Sequence, residues 1–84
     1  MIEASEIETK LLDFLKQEVF APEVPLTPET NLVAAGFDSM SLVRVLLFLE
    51  QSYGFWIPEG EITAEALQNV RTLAATAARV LNAR

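Results

Sequence analysis

Ser39 is the residue of this sequence whose type and position best suit chemistry. It follows Asp38 and opens a strongly apolar stretch that begins at Met40. Its hydroxyl is therefore expected at the N-terminus of a helix, where free backbone N–H groups and the helix dipole favour an anion such as a phosphate. Asp and Ser are also common helix caps, so the dipeptide by itself indicates a cap first and a functional site second.

The composition removes most other kinds of chemistry. The 84 residues contain no Cys and no His, which excludes a thiolate nucleophile and removes the commonest general base and metal ligand. A Ser–Lys dyad would need Lys10 or Lys16, which we expect to be solvated on the first helix. The acids near the N-terminus are typical of a solvated helix face rather than of a catalytic carboxylate pair. We therefore expect no catalytic residue, no metal site and no enzyme activity.

The charge balance limits the partners. Twelve acidic and six basic residues give a formal net charge of −6, which disfavours binding to nucleic acid or to anionic membranes. No stretch approaches the roughly 18 apolar residues of a membrane span, and the polar, acidic N-terminus is unlike a signal peptide. We expect a cytoplasmic, monomeric chain in which residues 1–84 form a single domain.

The apolar periodicity predicts an all-α protein. A first helix is expected from Ser5 to Val19, with a capping box formed by Ser5 and Glu8. Residues 20–38 form a long loop, in which three prolines at three-residue intervals favour an extended backbone. A polyproline ligand is the less favoured interpretation of that spacing. The loop residues expected to contact the core are Val24, Leu26, Leu32 and Val33.

A second helix is expected to begin at Asp38 or Ser39 and to end near Tyr53, because Gly54 is a natural left-handed cap. Its core stripe at helical spacing is Leu42, Val45, Leu46 and Leu49. A second apolar set also follows helical spacing but lies on another side; it consists of Met40, Val43 and Leu47. A domain of this size can hardly bury a helix on all sides, so we favour contact between this second set and a partner.

The C-terminal third is predicted to hold an extended segment and two helices. In the segment from Phe55 to Pro58, alternation directs the first and third side chains inwards and Trp56 outwards. Trp56 then either contacts a partner or packs on the core. A short helix is expected over Glu61 to Leu67, and the last helix starts after the N-cap Asn69 and ends near Leu81. Three main helices and one short helix then pack around one core as a four-helix bundle.

These features together resemble the acyl and peptidyl carrier proteins. The run from Leu32 to Met40, which ends in GFDSM, is similar to the motif at which these proteins carry their prosthetic group. The segment from Gly54 to Pro58 is similar to the step that follows the family's second helix. Chain length, helix order and the long first loop also agree. The resemblance covers nearly the whole chain and implies the four-helix carrier-protein fold.

The resemblance also implies a covalent cofactor at Ser39. A phosphopantetheinyl transferase would attach 4′-phosphopantetheine from coenzyme A to the hydroxyl, while Asp38 would help to place the serine and a metal-bound donor. The thiol of the cofactor would hold an acyl or aminoacyl group as a thioester, so the cofactor would supply the sulfur that the chain lacks. Further implied partners are an acyl- or amino-acid-activating ligase and the transfer enzymes that act downstream. The carrier itself would catalyse nothing.

The second helix departs from that of the fatty-acid carrier proteins. Ser41 and Arg44 stand where those proteins have an acidic recognition strip, and Arg44 is more similar to peptidyl or aminoacyl carriers, unless it is only a solvated residue paired with Asp38 or Glu50. We expect a free-standing carrier of an aminoacyl or specialised acyl group. The alternatives are a fatty-acid synthesis carrier and a helical interaction module without a prosthetic group. The residues expected to bind partners are Met40, Val43, Arg44, Leu47 and Trp56.

Overall fold

Four α-helices form most of the regular structure in the computed structural model, which describes residues 1–84. In chain order they are α1 (Ala4–Phe14), α2 (Leu32–Ala35), α3 (Ser39–Tyr53) and α4 (Val70–Asn82). α1 runs directly into a π-helical turn over Leu15–Val19, and a 3₁₀-helix covers Glu59–Glu61. The predicted all-α class with four helices is confirmed, although the short helix is α2 in the first loop and not the one expected over Glu61 to Leu67. None of the helices has the length and apolar character that a membrane span would need.

The first helix begins one residue earlier than predicted, and its predicted capping box was wrong. Glu3 is the N-cap and makes no side-chain hydrogen bond, while the carbonyl of Ser5 accepts a hydrogen bond from Thr9 Oγ1 at 3.1 Å. Two reciprocal hydrogen bonds join the backbone of Ile2 to the side chain of Asn82, at 3.1 and 2.9 Å. The chain before α1 is therefore fixed against the end of α4.

The core lies between α1, α3 and α4, and α1 packs most extensively on α4. Ala74 and Ala77 are fully buried at that contact side of α4, where their small side chains allow two helices to approach closely. The largest fully buried side chains are Ile7, Leu11, Leu15, Leu32, Leu49, Ile57, Leu73, Val45 and Val70. Every main helix, the first loop and the extended segment contribute to this set, so one core holds all of them together.

The long first loop contains a helical turn that the periodicity did not predict. Asn31 caps α2 by accepting a hydrogen bond from the Ala34 N–H at 2.9 Å, and Gly36 ends it with a left-handed φ of 111°. Leu32 is fully buried in α2, but Val33 is 68% exposed, so the prediction that Val33 contacts the core was wrong. Successive residues of a helix point about 100° apart, and in this turn Leu32 faces the core while Val33 faces solvent.

Two sets of contacts fasten this loop to the start of α4. The Leu32 N–H donates to the Gln68 carbonyl at 2.9 Å, and the Arg71 N–H donates to the Pro28 carbonyl at 3.1 Å. The guanidinium of Arg71 also forms an ion pair with Glu29 and lies 3.6 Å from a carboxylate oxygen of Glu8. The loop is therefore held in place although it has little regular structure.

The short helix predicted over Glu61 to Leu67 was wrong. The chain instead forms the 3₁₀-helix Glu59–Glu61 followed by turns. In these turns Thr63 Oγ1 accepts from the Ala66 N–H, and Thr72 Oγ1 donates to the Ala66 carbonyl, each at 3.1 Å. Such hydroxyl–backbone bonds compete with regular helix formation.

The start of α4 and the extended segment agree with the predictions. Asn69 and Thr72 form a capping box, with Asn69 Oδ1 accepting from the Thr72 N–H at 2.8 Å. In the extended segment Phe55 and Ile57 are buried, while Trp56 is 48% exposed. Both predictions are therefore confirmed.

A matched pair of substitutions on α3 tests the assigned core face. Leu49 is fully buried, while Leu47 is 44% exposed on the same helix. We expect Leu49→Ala to lower the free energy of unfolding by about 2–5 kcal/mol because it leaves a cavity. Leu47→Ala is expected to cost less than about 1 kcal/mol because its surroundings are already open to water. Urea unfolding followed by circular dichroism measures both, and equal losses would contradict the assigned faces.

Candidate functional site

Ser39 lies at the first position of α3 and its side chain is exposed. The turn before it is fixed by Gly36, whose left-handed φ ends α2, and by Phe37, which is buried. The Phe37 N–H donates to the Leu32 carbonyl at 2.9 Å. A side chain at Gly36 would be strained at that φ, so this glycine allows α2 and α3 to meet in a tight turn that leaves the serine at the surface.

Asp38 caps α3 and fixes its first residue. Its backbone is extended, and Oδ1 accepts hydrogen bonds from the Ser41 N–H at 2.9 Å and from Ser41 Oγ at 3.0 Å. The bond from the Ser41 N–H, and then that from its hydroxyl, lowers the pKa of the Asp38 carboxyl below its ordinary value. Asp38 is therefore an anion at neutral pH and sits beside the exposed hydroxyl of Ser39.

The start of α3 also presents backbone donors. The N–H groups of Ser39 and Met40 precede the first intrahelical hydrogen bond, which runs from the Leu42 N–H to the Asp38 carbonyl at 3.0 Å. Such N–H groups, together with the dipole of a 15-residue helix, favour a phosphate at this end. The serine therefore has backbone donors for a phosphate ester on one side and the Asp38 carboxylate on the other.

A groove of about 300 Å³ opens beside the serine. Its walls come from α2, from the first turns of α3 and from the turn before α4. The lining residues are Val33, Phe37, Asp38, Ser39, Leu42 and Leu67. A polar edge next to apolar walls fits a group with a phosphate at one end and an aliphatic arm behind it. The residues present thus fit phosphopantetheine.

An exposed apolar strip runs down α3 from the serine. We define the α3 strip as Met40, Val43 and Leu47, all of which are exposed. Their spacing of three, four and seven residues places them on one face of the helix. The structure therefore brings Ser39 and the α3 strip together on one side of α3.

Arg44 lies beside the α3 strip, and its ion-pair partner is neither of the two acids considered from the sequence. Its guanidinium lies 4.0 Å from a carboxylate oxygen of Glu18, in the π-helical turn, and not against Asp38 or Glu50. Both side chains are about half exposed, so the pair contributes little to stability. Arg44 can therefore exchange Glu18 for a partner's acid at low cost.

Trp56 lies away from the site. It follows the C-terminus of α3, whereas Ser39 begins that helix. At 1.5 Å per residue, the length of α3 separates them by roughly 20 Å. The structure therefore does not bring Trp56 together with Ser39 and the α3 strip.

Two walls of the groove were missed by the sequence reasoning. Val33 was assigned to the core, and Leu67 to a helix that does not form. A signal for the first was present, because Asn31 and Gly36 are an N-cap and a left-handed end at the spacing of one helical turn. No comparable signal marks Leu67, whose position depends on the turns that precede α4.

The fold and the site define a helical bundle that presents one exposed serine at a capped helix start. The family model described as the phosphopantetheine attachment site matches residues 6–80. The chain therefore belongs to this family, which includes the acyl and aminoacyl carrier proteins.

Comparison with known proteins shows similarity to two kinds of carrier. The chain is 42% identical over 59 residues to aminoacyl carrier protein 1 of Bradyrhizobium diazoefficiens, covering 70% of this chain and 63% of that protein. It is 32% identical over 73 residues to the chloroplastic acyl carrier protein 4 of Arabidopsis thaliana, covering 83% and 50%. The chain thus spans between half and two thirds of these relatives.

Two solved structures are also similar. In one, glycine:[carrier protein] ligase of Bradyrhizobium japonicum is complexed with glycylated carrier protein; the similarity is 34% identity with a TM-score of 0.65, over 87% of this chain and 96% of that chain. In the other, the ligase is complexed with its cognate carrier protein and an analogue of glycyl adenylate, at 33% identity and a TM-score of 0.67, over 90% and 96%. Both similarities extend over nearly the whole bundle.

The Asp38 cap predicts a pH dependence. Because the folded-state pKa of Asp38 is lowered, its contribution to stability is complete above the pKa of the unfolded chain and is lost as the pH falls through the folded-state pKa. Titration by NMR of the carboxyl carbon should give a pKa below the ordinary aspartate value. Asp38→Asn, which keeps a capping oxygen but does not titrate, should remove this contribution to the pH dependence. An ordinary pKa would contradict the described cap.

Proposed function

We propose that this chain is a carrier protein that holds biosynthetic intermediates as thioesters on 4′-phosphopantetheine joined to Ser39. The observation that carries the proposal is the exposed serine at a capped helix start, beside a groove, within a chain whose family is that of the phosphopantetheine attachment site. Residues 1–84 act as a single carrier domain, with one core.

The residues of the site have separate tasks in this proposal. Ser39 Oγ forms the phosphodiester bond as the adenosine bisphosphate of coenzyme A leaves. The chain contains no His or Cys, so the base that takes the serine proton belongs to the phosphopantetheinyl transferase. Asp38 helps to place the serine and a metal-bound donor in that complex. The attached group supplies the thiol, and the carrier itself catalyses nothing.

An aminoacyl cargo is the form of the proposal that the observations favour. The relative with 42% identity is an aminoacyl carrier protein, and one similar structure contains a glycylated carrier. In addition, α3 has an exposed Arg44 and an apolar strip where a fatty-acid carrier would have acids. A partner would then dock chiefly through apolar contact rather than charge. We propose an amino-acid-activating ligase as the partner that loads the thiol.

A fatty-acid synthesis carrier is the second candidate, since the chloroplastic acyl carrier protein is also similar. Mass spectrometry of the protein from its native cell would separate the two, because an aminoacyl and a long acyl thioester differ in mass. A helical interaction module without a prosthetic group is the third. It predicts that no modification takes place.

Modification of Ser39 is tested by intact-mass measurement. After incubation with a broad-specificity phosphopantetheinyl transferase and coenzyme A, the wild-type chain should gain the mass of one phosphopantetheine group. Ser39→Ala should gain nothing, because it lacks the oxygen that forms the ester. Ser52→Ala is the matched control, since Ser52 is exposed at the other end of α3. An unchanged wild-type mass would refute the carrier function.

Docking through the α3 strip is tested by kinetics of loading. With the modified chain as substrate for the Bradyrhizobium japonicum glycine ligase, Leu47→Ala should raise KM by roughly fivefold, as expected when an interface loses a central apolar contact. Trp56→Ala should leave KM within about twofold of the wild type, because Trp56 lies beyond the far end of α3, away from Ser39 and the α3 strip. A larger effect of Trp56→Ala than of Leu47→Ala would contradict the assignment.

A further inference from the structure

Ser41 is the buried polar residue of the protein. Its side chain is 8% exposed, whereas every other buried residue is apolar. At spacings of four residues it forms one line with Val45 and Leu49, so it continues the core face of α3 to the very start of the helix. A hydroxyl therefore stands where the helix pattern calls for an apolar side chain.

The hydroxyl has one partner, the Asp38 carboxylate. Ser41 Oγ donates to Asp38 Oδ1 at 3.0 Å, and the Ser41 N–H donates to the same oxygen at 2.9 Å. The bond from the N–H is sufficient for an N-cap. The bond from the hydroxyl is additional, and it comes from a side chain that the core holds in place.

The two bonds constrain the carboxylate more than a cap requires. A side chain held by one hydrogen bond can still rotate about that contact, whereas two donors from different atoms of one residue restrict its orientation. Both bonds go to Oδ1, and neither engages Oδ2. The orientation of the carboxylate that precedes Ser39 in the chain is therefore restricted.

Neither helix propensity nor the apolar core face favours serine at this position. Alanine has a higher helix propensity than serine, and a buried hydroxyl lowers stability unless it is hydrogen-bonded. Alanine at position 41 would keep the backbone half of the cap and would suit the apolar core face. Serine adds a hydrogen bond to the Asp38 carboxylate, which stabilises the anion and also restricts its orientation.

We propose that Ser41 is a positioning residue for the modification of Ser39: it holds Asp38 so that Oδ2 can meet the metal-bound coenzyme A donor in the transferase complex. The inference rests on the proposed function. It adds to that function a residue that acts only through Asp38 and touches neither the donor nor the serine hydroxyl.

The test compares Ser41→Ala and Ser41→Thr with the wild type in phosphopantetheine transfer from coenzyme A. We expect Ser41→Ala to lower kcat roughly tenfold, the effect of losing one hydrogen bond to a charged group, with little change in KM because the α3 strip is intact. Ser41→Thr keeps the hydroxyl and should restore most of kcat. Ser52→Ala is the control for loss of a serine on α3.

Two further measurements separate positioning from a general loss of structure. In an Asp38→Asn background, Ser41→Ala should have no further effect on kcat, because a residue that acts through Asp38 is not additive with it. Once modified, the Ser41→Ala chain should be loaded by the ligase at the wild-type rate. The comparison of Ser41→Ala in the wild-type and Asp38→Asn backgrounds remains informative even if Ser41→Thr fails to fold.

The outcomes distinguish this proposal from the proposed function. If the wild-type chain is not modified at all, the proposed function fails, and the role of Ser41 with it. If the wild type is modified but Ser41→Ala keeps the wild-type kcat, the positioning role alone is overturned. A folded Ser41→Thr that does not restore kcat, or additive losses in the Asp38→Asn background, would overturn it as well.

Discussion

The starting point of α3 is the constraint on which the site depends. Asp38 accepts the Ser41 N–H and so fixes Ser39 as the first helical residue. The side chains of residues two positions apart on a helix point about 200° apart, so a helix that buries Ser41 on its core face must expose Ser39. One cap and one core stripe thereby separate two serines into an exposed hydroxyl and a buried one. If α3 began at another residue, the separation of an exposed Ser39 from a buried Ser41 would be lost.

The rest of the bundle keeps that helix start in place. The first loop is tied to the start of α4 by the Leu32–Gln68 backbone bond, and Phe37 anchors the turn that leads into α3. The contact of α1 with α4 supplies the rigid support behind it. The groove, the serine and the α3 strip remain exposed, where the proposed transferase and ligase would reach them.

The sequence was sufficient for features that depend on local chemistry and on long periodic runs. The ends of α3 and the start of α4 were predicted because Asp38, Gly54 and Asn69 are strong local signals. The apolar face of α3 was predicted from helical spacing. Local signals failed at the start of α1, where Glu3 and not Ser5 is the N-cap. They also failed around Ala66, where turns held by hydroxyl–backbone hydrogen bonds replace a predicted helix. The burial of Ser41 was not predicted, because a polar residue gives no sign that it continues a core stripe.

The most direct test of the central claim is to locate the modification within the peptide that trypsin releases between Lys16 and Arg44. This peptide contains both serines, Ser39 and Ser41, as well as two loop threonines. Fragment-ion mass spectrometry of the transferase-treated protein should place phosphopantetheine on Ser39 and leave Ser41 unmodified, because only the first hydroxyl is exposed at the helix start. Modification of Ser41 or of a threonine, or an unmodified peptide, would contradict the account.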